Sequence, residues 1–220
     1  MVNVKICGIT TLDDALFAAE AGADMLGLNF YKRSPRYLDP QQAAILCDAL
    51  RERLGADCPL LVGVFANEVV SNIAAICDRV GLDFAQLSGD ESDVMLRELR
   101  GTAFKAIRPG SLAMALEDVA YYSDFFPADE RAPSLLLDAY HPNLYGGTGH
   151  RASEEVALAV REAVPRLMLA GGLKPENVAE RVQVVRPWGV DVASGVEPDN
   201  APGVKDRQKV AAFITAAKGG

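Results

Sequence analysis

Short β-branched runs alternate along the chain with longer stretches whose apolar positions recur every three or four residues. The first kind reads as a buried strand and the second as an amphipathic helix. Val2–Cys7 is the first strand, and Thr10 and Thr11 can cap a helix running through Glu20. Met25–Phe30, Pro59–Phe65, Asp83–Leu87 and Thr102–Ile107 repeat the strand pattern. The helices that follow them read as Pro40–Leu54, Val69–Val80 with Asn67 as its cap, Asp90–Leu99 and Leu112–Tyr122. Tyr121–Pro133 is irregular. Ser134–Asp138, Arg166–Ala170 and Val190–Ala193 complete the strands; Ser153–Ala163, Lys174–Val185 and Val204–Ala217 complete the helices.

Strand–helix pairs in series mean parallel strands, because each helix is the crossover that returns the chain. Eight such pairs, with no linker or break in composition, predict one α/β domain over residues 1–220: a single (β/α)8 TIM barrel. The competitor is an open doubly wound sheet, which carries G-x-G-x-x-G after its first strand. Here Ile6 is followed by Cys7-Gly8-Ile9-Thr10.

Composition narrows the function. A net charge of −8 argues against nucleic acid as a partner. The start MVNVKICGIT lacks the pattern of a signal peptide, and no run of about 18 apolar residues exists to span a membrane. A cytoplasmic protein is expected. Cys7, Cys47, Cys58 and Cys77 form no C-x-x-C, and only two histidines accompany them, so neither a disulfide scaffold nor a metal site is expected.

Barrels of this kind place their chemistry at the C-terminal ends of the strands. Those ends offer Cys7, Asn29, Phe65, Gln86, Lys105 to Arg108, Asp138, Gly171-Gly172 and Ser194-Gly195. Cys7 is a general base if its thiol ionises, and Lys5, on the same side of the strand, would favour the thiolate; otherwise it is a small buried filler. The other three cysteines read as fillers on helix faces or in loops. Asp138 follows three leucines, the mark of a strand buried on both faces. It is either a general acid at the barrel mouth or a carboxylate capping a loop. Gly171-Gly172 and Ser194-Gly195 let the backbone approach a phosphate, or simply make tight turns. Gly146-Gly147-Thr148-Gly149 is a closing loop or a surface turn. Tyr31–Tyr37 carries Lys32, Arg33 and Arg36, which clamp a carboxylate or form a solvated basic turn.

Together these segments resemble the phosphoribosylanthranilate isomerase family. The similarity runs in order through Val4-Lys5-Ile6-Cys7-Gly8-Ile9-Thr10, Gly27-Leu28-Asn29-Phe30, Ser34-Pro35-Arg36, Gly63-Val64-Phe65, Gln86-Leu87 and Gly89-Asp90-Glu91. It continues through Leu137-Asp138, Gly146-Gly147-Thr148-Gly149, Ala170-Gly171-Gly172-Leu173, Asp191 to Glu197 and Gly203-Val204-Lys205-Asp206. The resemblance implies an Amadori rearrangement of N-(5-phosphoribosyl)anthranilate in tryptophan biosynthesis. It implies Asp138 as general acid, Cys7 as general base and Arg36 on the anthranilate carboxylate. It puts the phosphate at Gly171, Gly172, Ser194 and Gly195. No metal or redox cofactor is implied; the partner is a phosphorylated small-molecule substrate, and the chain is expected to be a monomer or homodimer.

Two positions depart from the family pattern. Ser88 stands where a histidine is usual, and His150 to Glu155 replaces a usual Phe-Asp-Trp. Three other readings compete. The related barrel isomerase of histidine biosynthesis uses aspartates in both proton-transfer roles, which Cys7 opposes. Indole-glycerol-phosphate synthase expects catalytic Lys and Glu and an added N-terminal segment. A non-catalytic phosphate-binding barrel is opposed by the presence of both Cys7 and Asp138.

Overall fold

Strands β1 (Asn3–Cys7), β2 (Met25–Asn29), β3 (Leu60–Phe65), β4 (Phe84–Leu87), β5 (Ala103–Ile107), β6 (Leu135–Asp138), β7 (Leu167–Ala170) and β8 (Gly189–Val192) pair in chain order and close into a ring. The helices between and after them are α1 (Leu12–Glu20), α2 (Pro40–Leu54), α3 (Val70–Val80), α4 (Asp93–Glu98), α5 (Leu112–Tyr122), α6 (Gly149–Ala163), α7 (Val178–Val185) and α8 (Arg207–Lys218). This is a computed structural model, and it describes residues 1–99, 101–138 and 149–219, with the backbone alone for 149–153. Every strand pair is parallel, and the ring closes where Asn3 to Ile6 of β1 lie beside Gly189 to Val192 of β8. The predicted (β/α)8 barrel is the fold.

Strand alternation builds two cores. Outward residues such as Val4, Ile6, Leu26, Leu28, Leu61 and Val190 meet buried helix residues, among them Ala15, Leu50, Ile73, Val160 and Phe213. The other parity supplies Met25, Val62, Phe84, Phe104, Leu136 and Met168, a separate apolar cluster that plugs the ring. Leu135, Leu136 and Leu137 are all buried, as the run of three leucines predicts.

Local chemistry sets the joints. Thr11 caps α1 by accepting the Asp14 N–H at 3.1 Å, while the Thr10 hydroxyl donates instead to the Gly203 carbonyl. Asp24 and Asp83 each stand just before a strand and accept an N–H from the strand that precedes it: Val4 to Asp24 at 2.7 Å, Leu61 to Asp83 at 2.8 Å. Asn67 does not cap α3; it takes a positive φ of 55° and bonds the Asp90 N–H, and α3 begins at Val70. The irregular stretch after α5 contains a 3-10 turn at Ser123–Phe125. The Gly146-Gly147-Thr148 part of the glycine-rich loop lies outside the described residues. Among the described residues no helix is long and apolar enough to cross a membrane.

Candidate active site

All eight strand ends open into one cavity of about 460 Å³ at the C-terminal mouth of the barrel. Cys7, Arg36, Asp138, Gly171, Gly172, Ser194 and Gly195 all line it, so the seven residues singled out in the sequence converge on one place. The two candidate proton carriers approach it from separate sides. Cys7 ends β1, and Asp138 ends β6, reached through β8 and β7 around the ring.

Cys7 is buried and stands against Gly27 of β2. A Cβ at Gly27 would come within 2.8 Å of the Cys7 Sγ and 3.1 Å of the Lys5 Nζ, so the glycine's bare backbone makes the room both atoms occupy. Lys5 is fully buried and donates to the Gln86 Oε1 and the Asp191 Oδ1, each at 2.9 Å. Burial pushes the Cys7 thiol up, and the nearby Lys5 ammonium pulls it back without cancelling that effect. The thiol therefore sits above its ordinary range. The influence of Lys5 has the sign read from the sequence, but desolvation outweighs it because the site is enclosed.

Asp138 is held at the opposite rim by Arg108, whose Nε lies 3.0 Å from its Oδ2. The Arg108 side chain is 59% exposed, so this pair faces solvent and contributes orientation more than stability.

The basic loop after β2 divides its cations. Lys32 and Arg33 are exposed, whereas Arg36 turns inward. Its Nε and Nη2 donate to the two Glu197 oxygens at 2.8 and 2.6 Å, the planar two-point pairing that suits arginine. Among the described residues its remaining guanidinium N–H groups have no other partner, and they stay available to the cavity it lines. Its stem crosses directly over Gly8, which has a φ of +77° and no Cβ to obstruct it. Glu197 also accepts from Lys205 at 2.7 Å, and Lys205 in turn grips the Cys7 carbonyl at 2.6 Å. Burial pushes the Glu197 carboxyl up, but the bonds and charges of Arg36 and Lys205 more than offset it and leave it below its ordinary value.

Gly171 and Gly172 adopt φ values of 92° and 64°, a left-handed backbone that side chains rarely take. Ser194 and Gly195 open a 3-10 turn at the end of β8. A Cβ on Gly195 would collide with the Leu173 backbone, so this glycine lets the β7 and β8 loops meet edge to edge. Ser88 also faces the cavity, and its Oγ lies 3.1 Å from the Gln86 Nε2.

Asp191, Glu197 and Lys205 complete the site yet are absent from the strand-end candidates. Asp191 had a readable signal. A charge at the inward position of Val190-Asp191-Val192 answers one at the inward position of Val4-Lys5-Ile6, and strands one and eight of a closed ring are neighbours.

The family model described as N-(5'phosphoribosyl)anthranilate (PRA) isomerase matches residues 4–216. The N-(5'-phosphoribosyl)anthranilate isomerase of Trichlorobacter lovleyi is 44% identical over 218 residues, covering 99% of this chain and 98% of that protein. The crystal structure of phosphoribosyl anthranilate isomerase from Thermotoga maritima superposes with a TM-score of 0.84 at 38% identity, over 100% of both chains. A structure of such an isomerase in complex with reduced 1-(o-carboxyphenylamino)-1-deoxyribulose 5-phosphate gives 0.82 at 35% identity, again over 100% of both.

Proposed function

The chain belongs to the N-(5'-phosphoribosyl)anthranilate isomerase family and is an isomerase of tryptophan biosynthesis, and on that premise we propose how its residues divide the reaction. Asp138, carrying a proton, delivers it to the ribose ring oxygen, and the ring opens to an imine. Cys7, as thiolate, removes the proton from the second sugar carbon. The resulting enolamine tautomerises to 1-(2-carboxyphenylamino)-1-deoxyribulose 5-phosphate. Electrons move only within the substrate, so the scheme calls for no redox cofactor.

Arg36 holds the anthranilate carboxylate with the N–H groups that Glu197 leaves unused. The backbone at Gly171, Gly172, Ser194 and Gly195, with the Ser194 hydroxyl, takes the phosphate. The observation that carries this reading is the placement of a thiol and a carboxylate at separate strand ends of one cavity, with a fixed guanidinium at its rim. The whole chain then acts as one catalytic domain on a phosphorylated small molecule, in the cytoplasm.

The test uses freshly generated phosphoribosylanthranilate and follows the loss of its fluorescence. Cys7→Ser and Asp138→Asn should each lower turnover by at least about 100-fold, the scale of a lost acid or base. Both should still bind a phosphorylated product analogue. Full activity in either variant removes that residue from the scheme.

A further inference from the structure

The layer just beneath the mouth interrupts the apolar plug with a set of polar groups. Lys5, Gln86 and Asp191 come from β1, β4 and β8 and are 0%, 6% and 8% exposed. A lysine buried to this degree is costly unless fully satisfied. Two of the three N–H groups on its Nζ are taken by Gln86 and Asp191. The remaining direction is the shared space over Gly27, where the Cys7 Sγ also sits. The two atoms lie within the ~6 Å over which an opposite charge stabilises an ionised group. Lys5 touches no part of the open cavity, so it is not a binding group.

We propose that Lys5 is a positioning residue for the reaction: held by Asp191 and Gln86, it is the counter-charge against which the Cys7 thiolate forms. The proposal rests on Cys7 being the base. It explains why a full positive charge is kept inside a barrel where methionine would fill the same volume. Asp191 has the reverse effect on the thiol. It makes the buried ammonium tolerable, and its own negative charge opposes ionisation of Cys7.

The other charges facing Cys7 are accounted for. Lys205 approaches from the segment before α8 and Arg36 from the loop after β2. Glu197 binds both of them. Gln86 is uncharged, and β2 presents only Gly27. Among the described residues, Lys5 is thus the cation near the sulfur that Glu197 does not share. Burial opposes the Lys5 charge, but Asp191 and then Cys7 favour it and keep the ammonium above its ordinary value.

The test is the ultraviolet absorbance of thiolate against pH, with the Cys7→Ser chain subtracted so that only Cys7 is read. Lys5→Met should move the Cys7 transition upward by about one pH unit or more. Asp191→Asn should move it downward. The double variant Lys5→Met/Asp191→Asn, which buries no unpaired charge and keeps the measurement possible if a single variant fails to fold, should fall above the wild type. At neutral pH the turnover of Lys5→Met should drop about tenfold for each pH unit by which the transition rises, and the limb of the rate profile belonging to Cys7 should move with the titration. An unmoved thiol transition in Lys5→Met, or a loss of rate equal at every pH, makes Lys5 merely structural and overturns the proposal. Full activity of Cys7→Ser would sink the base assignment instead, a result the absorbance titration does not depend on.

Discussion

Two residues show how tightly the site constrains its neighbours. Gly27 is buried in β2 because Sγ and Nζ fill the space a side chain would need. Gly27→Ala should therefore cost about 1–3 kcal/mol through overpacking. It should lower turnover more than that figure suggests, because the displaced atoms are the proposed base and the counter-charge proposed for it. Urea denaturation and steady-state rates separate the two effects; unchanged turnover would show that the thiol has room to spare. The second is Cys7 itself. Its thiol lies above the ordinary value of 9.0 because desolvation outweighs the pull of Lys5. In the free protein the midpoint of the Cys7-specific thiolate absorbance should consequently lie above its ordinary 9.0. A transition near pH 7 would mean that the cavity is far wetter than its burial indicates.

At the level of elements, periodicity and composition made the eight strands and helices legible, along with the end of the barrel where chemistry sits. What they could not locate were joints made by long-range bonds. The run Asp90–Leu99 reads as a helix, but α4 spans only Asp93–Glu98, because Glu91 turns inward to a partner on β5. Val204–Ala217 shortens likewise to begin at Arg207, because Lys205 is drawn to the Cys7 carbonyl. No local pattern announces a partner 14 or 198 residues away. The same reason hides Glu197 and Lys205 from a reading of strand ends, whereas Cys7, Asp138 and the glycine pairs stand at those ends and line the cavity. Glu91 is the clearest case. Its carboxylate accepts the Asn67 N–H at 2.7 Å, the Gly89 N–H at 2.8 Å and the Lys105 ammonium at 2.9 Å, tying the ends of β3, β4 and β5. The Tyr122 hydroxyl adds α5 through the Glu91 carbonyl. Glu91→Gln leaves the buried Lys105 uncompensated and should cost about 3–5 kcal/mol. A loss below about 1 kcal/mol in urea denaturation would show that the clamp is as weak as a surface pair.

For the molecule as a whole, the critical line is the seam where the last strand meets the first. Backbone pairing closes it from Asn3↔Gly189 to Ile6↔Val192, and two ionic ties lie across or above it. One is Lys5–Asp191. The other is Arg36–Glu197–Lys205, in which Lys205 also holds the Cys7 and Ala193 carbonyls. The second tie predicts how the fold responds to acid. The native Glu197 carboxyl lies below its ordinary 4.5, so the unfolded chain binds its proton more readily. The stability that follows is fully present above 4.5 and is lost as pH falls through the lowered native value. The chain's 30 acidic residues make overall acid unfolding a sum of many groups, so the comparison must be with Glu197→Gln under matched conditions. At pH 7 the variant should be the less stable chain, since two cations lose their shared partner. On acidification from pH 5 toward pH 3 the gap should narrow, because the wild-type carboxylate is then neutralised as well. A gap that stays constant across that range would mean that Glu197 contributes shape at the seam and not charge.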